Sequence, residues 1–193
     1  KISNKKVYKF NNKDCQFNYR QSIFKGQLKG KYVICNVTFK LSKNPNLNTS
    51  YGEIENELKI MNTPPSIKSI SQAVINIRQR KLPNPKEIGN CGSFFKNPII
   101  SNVKFEFLKL KFPKIIGYPN GKDKTKVAAG WLIEQAGWKG YTNKGAGVHK
   151  NQALVLVNYG KAKGQDILKL SKDIQESIHN KFGIYLEAEV NIV

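Results

Sequence analysis

No run of about 18 apolar residues occurs in the chain, so the sequence offers no candidate for a membrane-spanning helix. The polar opening Lys1–Lys6 lacks the apolar stretch of a secretory leader. Cysteine is scarce. Cys15, Cys35 and Cys91 are odd in number and lack CxxC spacing, which argues against a disulfide framework or a common zinc or redox motif and points to a reducing compartment. His149 and His179 are the only histidines, too few to assemble a metal cluster with such cysteines. There is no G-x-S-x-G elbow, Walker A loop or dinucleotide glycine fingerprint, which weakens the hydrolase and nucleotide-fold readings. Acidic residues are few, 13 against 33 basic, for a net charge of +20. Arginine is scarcer still: only Arg20, Arg78 and Arg80. A protein that reads bases or clamps phosphates usually draws on the guanidinium fork, so a surplus carried by scattered lysine reads as compositional bias on a solvated surface. The alternative is a lysine-rich nucleic-acid-binding module, whose affinity would fall steeply with salt.

With 39% hydrophobic residues and 10% aromatics over 193 residues, the chain has material for a core and for one or two domains. Apolar and polar residues alternate from Lys6 to Phe10 and from Lys31 to Leu41, as half-buried strands require. Ser50 and Glu53 have the spacing of a capping box for a short helix over 51–60, which Pro64 and Pro65 stop. Ser66 or Ser69 opens a second helix, with Ile70, Ala73, Val74 and Ile77 on one stripe, ending before the Leu82-Pro83-Asn84-Pro85 boundary between two lobes. Beyond it, helices are expected over 101–112, 126–136 and 164–181, and strands over 153–158 and 184–192. The closing strand–helix–strand order implies a βαβ or split βαβ unit, so the expected class is α+β.

Each candidate site residue also has a plainer explanation. Gly89–Pro98 is a glycine-punctuated turn around Phe94 and Phe95, presenting Ser93 beside Lys96 and Asn97; on these residues alone Ser93 is better explained as a hydroxyl that bonds its own turn. Glu187 and Glu189 lie two apart on an expected strand and share a face, which is either wet or functional. His149 reads as a structural histidine. The glycine loops 117–121 and 140–147 lie beside Lys122, Lys139 and Lys144; they suit a phosphate or an ordinary turn. Arg20 follows an aromatic residue and suits a carboxylate, a phosphate or open solvent.

Taken in order, the segments Tyr19-Arg20-Gln21-Ser22-Ile23-Phe24-Lys25, Tyr51-Gly52-Glu53, Arg78 with Lys81-Leu82-Pro83-Asn84-Pro85, and Gly89-Asn90-Cys91-Gly92-Ser93-Phe94-Phe95-Lys96-Asn97-Pro98 form a collinear series. It continues through Ala128-Ala129-Gly130-Trp131-Leu132-Ile133-Glu134, Gly145-Ala146-Gly147-Val148-His149 with Gln152-Ala153-Leu154, and Leu186-Glu187-Ala188-Glu189-Val190. The series closely resembles the UDP-N-acetylenolpyruvoylglucosamine reductase (MurB) family over nearly the whole chain.

The resemblance implies a bacterial, cytoplasmic flavoprotein of peptidoglycan synthesis, hence of cell wall, shape and division. NADPH would reduce FAD, and UDP-N-acetylglucosamine enolpyruvate would be reduced to UDP-N-acetylmuramate. It implies Ser93 as proton donor, with Arg20 and Glu189 around the enolpyruvyl carboxylate. Tyr51, Lys81, Asn97, Tyr118, Lys139 and Gln152 would hold the UDP-sugar, with Tyr118 and Lys139 nearest the diphosphate, and Arg78 would approach the flavin. The Tyr51 segment matches the longer subtype. Residues 1–82 would be the tail of a PCMH-type FAD-binding domain and residues 83–193 a MurB-type carboxy-terminal α/β substrate-binding domain, acting as a monomer without nucleic acid, membrane or metal. Cys91 departs from the family's usual alanine and Ala188 from its frequent proline. The family's glycine-rich amino-terminal flavin segment is not among these residues, so the expectation is the substrate-binding half of the enzyme, or an inactive fragment retaining its fold.

Overall fold

A computed structural model of the chain describes residues 1–192. These fall into two compact units, Lys1–Asn46 and Leu47–Val193.

The first unit has little regular structure: helix α1 (Asn12–Cys15) and a 3₁₀ turn at Ile23–Lys25. Neither expected strand forms. Residues 6–10 and 31–41 have no ladder partner among the described residues. Tyr8, Phe10, Phe24 and Tyr32 meet edge to face instead, with ring centroids 5.1–6.1 Å apart. Along 33–41 the alternating side chains stay in solvent, Phe39 at 76% and Leu41 at 83% exposure. Alternation supplies an apolar face, but a strand also needs an edge to pair with. At Asn18–Gln21 the chain reverses tightly. The two residues exchange backbone bonds of 3.0 Å, and Tyr19 and Arg20 form the tip.

The second unit opens with a helical hairpin, α2 (Ile54–Ile60) and α3 (Ile67–Lys81), broken at Pro64–Pro65. The expected capping box at Ser50 is absent. Ser50 bonds Asn48, and Glu53 stands at the N-cap of α2 without a side-chain capping bond. Ser66 caps α3 by accepting from Ser69 N. Ile54, Leu58 and Ala73 form the hairpin's small core, with Met61, Ile70 and Ile77 against it. Val74, expected on the same stripe, stands at its exposed edge.

The remainder carries two antiparallel sheets. One has the order β1 (Gly89–Ser93), β7 (Val155–Asn158), β6 (Ala146–Val148), β5 (Thr142–Asn143); the other has β2 (Ile99–Ser101), β4 (Lys124–Val127), β3 (Gly117–Pro119). Helices α4 (Asn102–Lys111), α5 (Ala129–Gln135) and α6 (Gly164–Phe182) complete a mixed α/β fold. One continuous core contains Phe94, Phe95, Val127, Leu132, Leu156, Ile174, Ile178 and Leu186. Ser101 caps α4, the helix expected over 101–112, and α6 buries Leu170, Ile174, Ile178 and Phe182 along one stripe down to the left-handed Gly183 that ends it.

Two expectations are corrected. The helix placed at 126–136 starts at Ala129. Lys124-Thr125-Lys126-Val127 alternates with Thr125 and Val127 buried, so it extends as the central strand of its sheet. The terminal segment 184–192 is not a regular strand: it makes a single bridge, Ala188 to Phe95. Among the described residues no parallel βαβ unit forms, because that bridge is antiparallel and falls beyond the end of β1 rather than beside β7.

Candidate active site

Ser93 closes β1 at a bulge. Asn90 pairs with Val157 and Ser93 with Val155, so Cys91 and Gly92 together face Leu156 alone. Gly92 takes φ +75°, and its N–H donates to Asn90 Oδ1 at 3.0 Å. Space does not require this glycine; the backbone angle does, since a Cβ here would have nothing within 4 Å. Past the bulge, Phe94 N donates to Leu154 O at 2.8 Å, and the Phe94 and Phe95 rings are buried in the core. Ser93 is left exposed on a turn anchored from beneath.

Glu189 reaches this turn from the other end of the chain. Its N–H donates to Phe94 O at 2.8 Å, and Lys96 N donates to Glu187 O at 2.9 Å. The Lys96 ammonium donates to the Glu187 carboxylate, so Lys96 is paired rather than waiting for an anion. Glu187 is exposed and Glu189 half-buried.

Asn97 Oδ1 accepts from Ala129 N at 2.9 Å, serving the start of α5 that Ala128 cannot cap. Next to it, a Cβ on Gly130 would lie 3.5 Å from Gln152 Oε1. Ser93, Asn97, Gln152 and Glu189 are therefore linked through a few backbone steps. Asn151 Nδ2 donates to Arg80 O at 3.3 Å, which sets the 149–152 loop against the end of α3.

At that end Lys81 bonds the Glu53 carboxylate at 2.8 Å, and Arg80 bonds the buried Glu57 at 2.9 Å. Asn76 also donates to Glu57, at 3.0 Å. The Lys81 hydrogen bond holds the Glu53 carboxyl below its usual range, and Arg80 followed by Asn76 does the same for Glu57. Tyr51, just ahead of α2, is 81% exposed, and Arg78 is exposed on α3. Lys139 pairs with Glu134 at 2.8 Å, and Tyr118 is half-exposed on β3 opposite Lys126. Arg20 belongs to the first unit, where its guanidinium lies 5.9 Å from the Tyr19 ring centroid.

Burial pushes the Cys91 thiol up, and burial reinforced by Lys150 pushes His149 down. His149, 6% exposed, is a structural histidine whose backbone N–H donates to Val155 O at 2.9 Å. The 140–147 loop is a hairpin turn: Lys144 and Gly145, both at positive φ, join β5 to β6. A shallow cavity of about 530 Å³ lies among Thr49, Glu55, Leu58, Lys59, Asn62, Thr63, Pro64 and Pro65; no expected site residue lines it. Among the described residues no group of three or more His, Cys, Asp or Glu could hold a metal, and no helix is long and apolar enough to cross a membrane.

The glutamate partners of Lys81, Lys96 and Lys139 were not expected. For Lys96 no sequence signal existed, since Glu187 lies 91 residues away. Glu134 stands five before Lys139, outside the helical i, i+4 spacing that would have marked it.

A family model described as UDP-N-acetylenolpyruvoylglucosamine reductase, C-terminal domain, matches residues 84–193. The chain belongs to that family. Curated proteins named UDP-N-acetylenolpyruvoylglucosamine reductase are similar over most or all of it. The Flavobacterium johnsoniae protein is 53% identical over the whole chain and the Amoebophilus asiaticus protein 51%. That of Bdellovibrio bacteriovorus is 48% identical over 93% of it. The chain spans 58%, 57% and 53% of the lengths of these three relatives.

Proposed function

We propose that this chain is the substrate-binding part of a reductase that converts UDP-N-acetylglucosamine enolpyruvate to UDP-N-acetylmuramate in peptidoglycan synthesis, in the bacterial cytoplasm and as a monomer. The observation that supports this most is the meeting of Ser93 and Glu189 on paired backbone segments from opposite ends of the family domain. Residues 1–82 are read as the remainder of a flavin-binding domain and 83–193 as the substrate-binding domain. The lysine-rich nucleic-acid module is not favoured.

FAD and NADPH enter by family resemblance. FAD, reduced by NADPH, would supply the hydride. Arg78, the one residue assigned toward flavin, is exposed on α3, and no other described residue is assigned to hold that group. The chemistry of these side chains is therefore derived without it. Hydride addition to the enolpyruvyl double bond builds negative charge on the carbon next to the carboxylate. Arg20 and Glu189 are assigned to hold that carboxyl group and its developing enol, and the Ser93 hydroxyl to donate the proton that completes the reduction. Tyr51, Lys81, Asn97, Tyr118, Lys139 and Gln152 are assigned to the UDP-sugar. Lys81 and Lys139 are paired with carboxylates, so a diphosphate would have to compete with Glu53 and Glu134 for them.

The test is calorimetric titration of the full-length gene product with UDP-N-acetylglucosamine enolpyruvate at two salt concentrations, alongside Lys139→Ala. Saturable binding that weakens in the variant supports the assignment. Wild-type protein that neither binds nor reduces this substrate removes it.

A further inference from the structure

We infer that Lys96 is a positioning residue: by holding Glu187 across the Phe95–Ala188 bridge, it keeps the terminal segment that carries Glu189 in register with the Ser93 turn. This rests on the reading of Ser93 and Glu189 as the reacting side chains.

The terminal segment starts from Ile184 and Leu186, which are buried in the core, and its backbone bonds beyond them are few. It joins the Ser93 turn through Lys96 N to Glu187 O and Glu189 N to Phe94 O, and α6 through Gln175 Nε2 to Leu186 O at 2.7 Å. No ladder follows the two backbone bonds to the Ser93 turn, so this stretch has fewer backbone ties than the sheets beside it. Chemistry that depends on fixed geometry gains from a side-chain tie between this segment and the Ser93 turn. Lys96 supplies it. The two backbone bonds flank Phe95 and Ala188 as an antiparallel pair not directly bonded to each other, so Lys96 and Glu187 stand opposite one another on the same face. Their side chains close an ion pair on that face, and Glu189, two residues on from Glu187, shares it. The Lys96 side chain is only 17% exposed and Glu187 73%. Lys81 and Lys139 are also paired but more exposed, at 40% and 34%, so of the three lysines Lys96 is the least open to a substrate anion. The covered end of the pair lies on the Ser93 turn, which Phe94 and Phe95 already anchor, so the pair ties the terminal segment to that turn.

The test compares Lys96→Met, Glu187→Gln, Lys96→Arg and the exchanged pair Lys96→Glu/Glu187→Lys in the full-length protein with UDP-N-acetylglucosamine enolpyruvate. Lys96→Met and Glu187→Gln should lower kcat about tenfold with KM within about twofold, while Lys96→Arg and the exchanged pair regain most of it. A raised KM with unchanged kcat would make Lys96 a substrate contact and overturn the inference, as would unchanged kcat in both single variants. Amide exchange gives a reading independent of turnover: in Lys96→Met the N–H groups of Lys96 and Glu189 should exchange faster while those of Val155 and Val157 hold. Equal exchange at all four positions overturns the inference as well. If the wild-type protein does not reduce the substrate, the proposed function fails, and exchange still decides whether Lys96 holds the segment.

Discussion

The carbonyl of Phe94, one residue past Ser93, accepts the N–H of Glu189 at 2.8 Å. A hydroxyl on a core-anchored turn and a carboxylate on the terminal segment are thereby joined through one backbone bond. If these two side chains react with one substrate, the parts that shape the Ser93 turn should govern rate more than binding.

Ser93→Ala should lower turnover by about 10²–10⁴-fold, the range for loss of a positioned proton donor, with substrate affinity little changed. Pre-steady-state kinetics should show the hydride step surviving and the proton step slowed. Equal loss of both would assign Ser93 to binding.

Gly92→Ala should destabilise the protein by about 1 kcal/mol through its left-handed backbone alone, because a Cβ there meets no neighbour. Gly92→Asn should be milder and Gly92→Val worse, in thermal melts as in turnover. If the valine variant matched wild type, the bulge would not depend on that angle.

How far the sequence shows this arrangement depends on how local each interaction is. Helix α3 could be read from Ser66 and its stripe, and α6 from its apolar face, because caps and periodicity are properties of neighbouring residues. Lys124–Val127 could not: two lysines around a threonine look like the polar start of a helix until Thr125 and Val127 are seen buried between β2 and β3. The 31–41 alternation is visible in sequence, yet alternation says nothing about which edge, if any, it pairs with. Within the site, the Gly-Ser-Phe-Phe turn and the terminal glutamates were legible as candidates. Their juxtaposition and the Lys96–Glu187 pair were not, since both depend on chain closure over the length of the domain.

Arg20 sits at the tip of the Asn18–Gln21 reversal with φ +54°, where glycine or asparagine is usual. Strain held at one residue is common where that side chain has a task. Arg20→Gly should raise stability by about 1 kcal/mol in denaturant melts and cost the full-length protein at least about 10²-fold in turnover. A glycine variant that is both less stable and fully active would contradict both halves.

Cys91 lies two residues from Ser93, and burial raises its thiol pKa, so little thiolate forms at neutral pH. Brief alkylation at pH 7 followed by peptide mass spectrometry should label Cys35 first and Cys91, also exposed but with its thiol pushed up, more slowly, with the buried Cys15 last. Cys91→Ala should leave peroxide sensitivity unchanged; protection by that substitution would instead mark Cys91 as an oxidation site.

His149 provides a pH dependence whose sign can be worked out. Its ordinary value is 6.5, and burial first, then the Lys150 charge, lowers it in the folded protein. Between the folded and unfolded values the unfolded chain binds more protons, so stability should be fully present above about pH 6.5 and decline as the pH falls through that window. Glu53 and Glu57 act elsewhere: their lowered carboxyls, held by Lys81 and by Arg80 with Asn76, withdraw stability only on acidification below the ordinary 4.5. Thermal melts from pH 7.5 to 5 should therefore fall more steeply for wild type than for His149→Gln, and Lys150→Gln should lie between them. Parallel slopes for wild type and the glutamine variant would mean that protonating His149 costs the fold nothing, and the acid sensitivity would then have to start with the carboxylates of the α2–α3 hairpin.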